Sequence, residues 1–271
     1  MNSFLRLQPP NLRHGLTAVA LAVLCTGASA ALPQFTFDPT AASPSFAGAS
    51  ITADNIVISD YSHVTINPVT GAFTDTGYLA VQGFQLNSAA INAAGLNTTY
   101  GLYFQFSGTG TQTTGVNPFT TSTSGTFSTL NYTLFGYSGP AATFGFDGAN
   151  IPTTTAVGAV ALAGGSLVFG TANTQPTGTG FTPGAYAELN FTVAPTQAGF
   201  FNAPNPFYGR AFAGFTNTPN QVRVISNNEF VISQGGGIVN FAATPVPEPE
   251  TYTLMLAGLL AVGFIARRRT T

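Results

Sequence analysis

Three stretches of this chain alternate apolar and polar side chains with a period of two. Tyr100, Leu102, Phe104 and Phe106 interleave with Gly101, Tyr103 and Gln105. Leu130, Tyr132 and Leu134 interleave with Asn131 and Thr133, and Ala187, Leu189, Phe191 and Val193 with Glu188, Asn190 and Thr192. Successive side chains of a strand point to opposite faces, so this repeat specifies strands buried on one side and solvated on the other. Shorter apolar runs at residues 51–59, 64–66, 78–86, 157–168, 222–225, 230–232 and 238–241 read as further strands. Turn-forming residues separate them at 67–71, 107–110, 138–140 and 234–237, and only residues 88–95 hint at a short helix. About ten strands with this patterning imply an all-β fold, an antiparallel β-sandwich or jelly-roll-like body.

Charge is nearly missing from that body. Between Ala31 and Pro249 the cations are Arg210 and Arg223, against the acids Asp38, Asp54, Asp60, Asp75, Asp147, Glu188, Glu229 and Glu248. Two cations against eight acids give a net charge of about −6. Two scattered arginines cannot neutralise a run of phosphates, which argues against nucleic acid as a partner and against anionic lipid surfaces. Threonine, serine, asparagine and glycine stand where ions would, a composition suited to strands whose outer face is solvated by hydroxyls and amides. Residues 110–125 and 170–184 are low in complexity and read as mobile loops or linkers. Apolar segments look alike on both sides of residues 138–155, which favours one domain.

The two ends are processing signals. Arg6 and Arg13 precede an apolar stretch at residues 16–25 and the small residues Ala28, Ser29 and Ala30. This is the order of a secretory signal peptide over residues 1–30, cut by signal peptidase between Ala30 and Ala31. The single cysteine, Cys25, follows Leu24 rather than a small residue, so it fills the apolar region and leaves with it. The mature body, residues 31–243, then has no thiol chemistry. The tail, residues 244–271, has three parts. Pro247 and Pro249 hold Glu248 in an extended, accessible segment. An apolar run follows that includes Leu254, Met255, Leu256, Leu259, Leu260, Val262, Phe264 and Ile265, and it ends on Arg267, Arg268 and Arg269. About 16 apolar residues rise about 24 Å as a helix, short of a hydrocarbon core of about 30 Å, and snorkelling arginines cover the difference. By the positive-inside rule those arginines keep the C-terminus in the cytoplasm and the body outside.

Pro-Glu-Pro, apolar helix and arginine cluster, in this order, resemble the PEP-CTERM sorting signal of Gram-negative, biofilm-forming bacteria. The resemblance implies that an exosortase, a membrane-embedded protease, recognises Pro247, Glu248 and Pro249 and removes the helix. The protein would be exported, anchored transiently in the inner membrane, then placed at the cell surface or in the extracellular matrix. Segments at 35–40, 101–110 and 205–212 are similar to the flocculation-associated branch of these proteins, which implies a part in floc or biofilm formation with exopolysaccharide.

Chemistry-bearing side chains are sparse. His63 is the one histidine of the mature body, so no histidine metal cluster can form and any Ser-His-Asp triad would have to use it. A glycosidase needs only two carboxylates at one cleft, yet no local motif nominates a pair. Asp54 and Asp60 flank a strand and could help to ligate calcium, without the repeated acidic loop of such sites. The expectation is a non-enzymatic surface or matrix protein without catalytic residues, metal or cofactor. The alternative is a polysaccharide-binding adhesin, with Tyr103 and Gln105 as candidate sugar contacts on the face opposite Phe104 and Phe106. A polysaccharide hydrolase is a third reading.

Overall fold

The computed structural model describes residues 32–114 and 116–242. The cleavage pair Ala30 and Ala31, the tripeptide Pro247-Glu248-Pro249, the apolar anchor and the arginine cluster lie outside the described residues. Strand β1 (Phe35–Phe37) leads through a single helical turn, α1 (Pro39–Ala42), to β2 (Ile51–Ala53). Asp38 caps α1 by accepting the Thr40 N–H at 2.9 Å. Then come β3 (Asn55–Ile66), β4 (Ala72–Leu86), β5 (Ala89–Ile91), β6 (Tyr100–Gln112) and β7 (Thr123–Ser138). A small hairpin, β8 (Phe144–Phe146) and β9 (Pro152–Thr154), precedes β10 (Val160–Thr177), β11 (Gly180–Asn190), β12 (Thr192–Val193) and β13 (Phe201–Ala203). β14 (Arg210–Thr216), β15 (Val222–Ser226) and β16 (Glu229–Ala242) complete the order. With 63% strand and 5% helix, the all-β expectation holds.

Eight of these strands form a ring. β3, β4, β6, β7, β10, β11, β14 and β16 each pair antiparallel with the next in the chain. β16 then returns to β3, from Glu229 opposite Thr65 to Val239 opposite Ile56. This corrects the expectation of a sandwich or jelly roll, because the sheet closes on itself as an up-and-down barrel. Period-two patterning fixes which face of a strand is buried. It does not say whether the first and last strands meet.

Inside the ring the alternation is regular. On β3 the buried residues Ile56, Ile58, Asp60, Ser62, Val64 and Ile66 alternate with half-buried Val57, Ser59, Tyr61, His63 and Thr65. One end is plugged by the β13–β1–β2 sheet and a cluster of phenylalanines. Phe35 meets Phe241 at 4.9 Å between ring centroids, Phe37 meets Phe84 at 4.8 Å, and Phe191 meets Phe241 at 4.7 Å. At the opposite end Phe119, from the β6–β7 connection, packs on Phe181 at 4.7 Å and on Phe230 at 5.9 Å. Fully burying one such ring is worth about 2–3 kcal/mol, so the two aromatic ends carry a large share of the stabilisation.

Several local expectations are corrected. Residues 88–95 contain β5, which pairs with the end of β4 across a turn where Asn87 and Ser88 have positive φ, rather than a helix. Residues 107–110 continue β6 instead of turning. Gly108 packs closely beneath the Phe127 ring, and Gly110 lies beneath Phe73, where a side chain would collide. Residues 234–237 continue β16 past a bulge at Gln234, whose φ is +59°. Residues 170–184 form the paired ends of β10 and β11, from Thr171 opposite Tyr186 to Thr177 opposite Gly180, and are not a linker. The β-branched threonines there favour strand.

Candidate functional site

Tyr103 faces outward from β6, as the alternation requires, but it is buried, with 6% of its surface exposed. The β8–β9 hairpin covers it. Phe144 lies 5.6 Å from its ring, Phe135 stacks on it at 5.3 Å, and Tyr78 and Tyr137 close the sides. Burial, then the neighbouring Tyr78 and Tyr137 hydroxyls, raise its phenol above the ordinary range. A sugar ring has no open aromatic face there. Gln105, two residues on, is exposed but stands without that platform.

A different outer face, not indicated by the sequence, has the mixed character that sugars favour. Along β10, β11 and β14 the outward side chains Thr171, Asn173, Gln175, Thr182, Tyr186 and Thr216 border a shallow groove of about 300 Å3. Tyr186 is 42% exposed and stacks at 6.5 Å and 24° on Phe212. The signal was available, since Tyr186 extends the outward set Glu188 and Asn190. It was hidden because residues 170–184 read as a linker.

Several other polar groups of the outer face are paired. His63 Nε2 lies 2.9 Å from Glu229 Oε1 on the adjacent strand. Arg210 donates to Asn190 Oδ1 at 2.7 Å and lies 3.7 Å from Glu188, while Arg223 donates to Asn150 Oδ1 at 2.9 Å. Threonine pairs bridge neighbouring strands, as in Thr65–Thr74 at 2.6 Å and Thr109–Thr129 at 2.8 Å. Asp54 accepts from Asn55 Nδ2 and from the Asn87 N–H. Asp60 lies six positions further along the extended chain, roughly 20 Å, so the two do not meet as calcium ligands. Among the described residues no group of three or more His, Cys, Asp or Glu side chains converges.

The lumen holds the feature that no local motif indicated. Asp60 on β3 and Asp75 on β4 both border a cavity of about 100 Å3 inside the ring. Asp60 is opposite Leu79, and Asp75 is opposite Val64, four residues further along β3. Asp60 is 5% exposed and accepts one hydrogen bond, from Ser62 Oγ at 3.1 Å. Burial pushes its carboxyl up to about 7, with the Ser62 bond acting in the opposite direction. Burial and then the Asp60 charge hold Asp75 well above the ordinary carboxylate range. Asn217, 3% exposed, donates through Nδ2 to the Pro183 carbonyl at 3.1 Å and points its oxygen at Gly235, beside Asp60. Ordinary ligand pockets start at about 300 Å3, so linked sugar rings do not fit between these two carboxyls.

The fold and its termini therefore combine a closed antiparallel barrel, poor in charge outside and acidic within, with a tripartite tail. Residues 245–269 match the family model of the PEP-CTERM protein-sorting motif, a span that includes the Pro-Glu-Pro tripeptide, the apolar run and all three arginines. The motif indicates an exosortase-sorted protein that is exported to the cell surface or beyond. Comparison with curated proteins and with solved structures produced no match.

Proposed function

We propose that this is a non-enzymatic surface or matrix protein that its tail anchors briefly in the inner membrane and delivers to an exopolysaccharide layer, where it contributes to floc or biofilm formation. The sorting motif at residues 245–269 carries the reading. An outer surface of threonine hydroxyls and amides with few ions suits a hydrated glycan environment. The narrow lumen supports a non-catalytic role, since it leaves its two carboxyls out of reach of a polysaccharide. The test follows the tail. Glu248→Ala should block removal of the helix and leave membrane insertion intact, because insertion depends on the apolar run and the arginines. The variant should stay in the membrane fraction at a mass about two kilodaltons above the processed form. An intact Thr271 on wild-type protein recovered from the surface would sink the proposal of a transient anchor.

The Tyr186 groove favours a second reading, a polysaccharide-binding adhesin. Tyr186→Ala would then abolish binding of the protein to the producer's own polysaccharide, whereas unchanged binding would remove this face from consideration.

A further inference from the structure

Three oxygens on or beside the lumen wall have no hydrogen-bond partner in the protein and no exposure to solvent: Asp60 Oδ1, Asp75 Oδ1 and Asn217 Oδ1. With the carboxyls ionised, all three are acceptors only. The amide orientation of Asn217 is set by its Nδ2 bond to Pro183. Among the described residues lining the lumen there is no lysine, arginine or histidine, and the titratable groups facing it are Asp60, Asp75 and Tyr132. Tyr132 already donates to the Asn190 carbonyl at 2.8 Å. Leaving a buried polar atom unpaired is costly, and two carboxyls that face the same space disfavour each other's ionisation. A donor-rich cation placed between them would relieve both penalties.

We infer that the barrel lumen is a binding site for a small primary ammonium with a short apolar tail, its head held by Asp60, Asp75 and Asn217. A primary ammonium carries three N–H donors, one for each unpaired oxygen. The rest of the wall, including Leu79, Phe104, Leu130, Ala187 and Ala213, is hydrocarbon and receives the tail. A calcium ion would require about six to eight oxygen ligands, which this wall does not supply. Size sets the tail. A cavity of about 150 Å3 holds benzene, with its six heavy atoms, so about 100 Å3 holds about four, the size of propylammonium. Eight-stranded barrels enclose room for packed side chains or one small ligand.

The test uses purified protein titrated by calorimetry and thermal unfolding with n-propylamine, 1-propanol and calcium chloride. Propylamine should bind saturably and raise Tm, and 1-propanol, equal in size but neutral, should not. Affinity should rise at least tenfold between pH 5 and pH 8 as Asp60 ionises, because the amine itself stays protonated up to about pH 10. Asp60→Asn and Asp75→Asn, each close in shape, should each lose the binding. Ala213→Leu, which fills the lumen without touching a carboxyl, should lose it as well and serves if the isosteric variants do not fold. No saturable binding of propylamine overturns the inference. So does an equal response to 1-propanol, which would leave an apolar cavity only, a larger response to calcium, or binding that survives in a folded variant.

Discussion

Replacing Asp60 by Asn isolates the cost of a carboxyl held inside an apolar barrel. In the unfolded chain this group titrates near 3.8, and in the barrel burial raises it to about 7. The folded state therefore holds a proton over a pH range in which the unfolded state has released it, and stability falls as pH rises. The sign follows directly. The contribution is fully present below about pH 4, is lost progressively towards pH 7, and is gone above it. About three pH units at about 1.4 kcal/mol each give about 4 kcal/mol, an upper estimate. Asparagine keeps the shape and cannot ionise, while weakening the bond from Ser62 by about 1 kcal/mol. The variant should thus be about 2–3 kcal/mol more stable than wild type at pH 8, and equal or slightly less stable at pH 4. Loss of the Asp60 charge should also flatten the part of the pH dependence that comes from Asp75, whose proton affinity that charge raises. Urea unfolding at pH 4, 6 and 8 measures this. The chain has no tryptophan and 9 tyrosines, so far-ultraviolet circular dichroism or tyrosine emission serves as the signal. A wild-type stability that rises from pH 4 to 8, or a difference between the two proteins that does not change with pH, would refute the reasoning.

Other outcomes follow from packing. Phe241→Ala should cost about 3–5 kcal/mol in urea unfolding, because the ring is 1% exposed and touches Phe35, Phe191 and Phe207 in the aromatic plug. Gly101→Ala should cost about 1–3 kcal/mol by overpacking. Its Cβ would collide with the ring of Tyr137, which is buried and accepts the Ala142 N–H at 2.8 Å, so near-ultraviolet circular dichroism should report the displaced tyrosine.

The sequence made some parts of this molecule plain and hid others for physical reasons. Strand identity was legible wherever Phe, Leu and Tyr alternate with polar residues, as at Phe104 and Leu134, since burial on one face writes that period directly. Gly108 and Gly110 misled because glycine usually marks a turn. Here it sits in a strand, making room for the rings of Phe127 and Phe73 on neighbouring strands. The β10–β11 hairpin misled because Thr171 and Thr182 face outward while Thr174 and the alanines face the lumen, which leaves little hydropathy contrast. Closure depends on β3 meeting β16 across more than half the chain, a contact without a local trace. The lumen pair was hidden for the same reason. Asp60 and Asp75 belong to an ordinary hairpin, and only the returning wall around them turns two acids on strands into a buried acidic site. The sorting tail was legible because its three parts are contiguous and each acts through local chain properties.

The ring closure has a consequence for how the protein behaves when crowded in an extracellular layer. A strand at the margin of an open sheet presents a row of unpaired amides and carbonyls that can recruit a strand from another molecule and seed fibres. In this ring the first and last strands satisfy each other from Thr65–Glu229 to Ile56–Val239. Among the described residues the β3–β16 seam thus offers neighbouring copies no open margin on which to grow. In the proposed matrix role, cohesion between copies would then rest on hydroxyl, amide and aromatic side chains acting on a shared glycan, contacts that are individually weak and reversible. Closing that seam removes from the barrel the long open margin through which strands of different copies would otherwise add to one another.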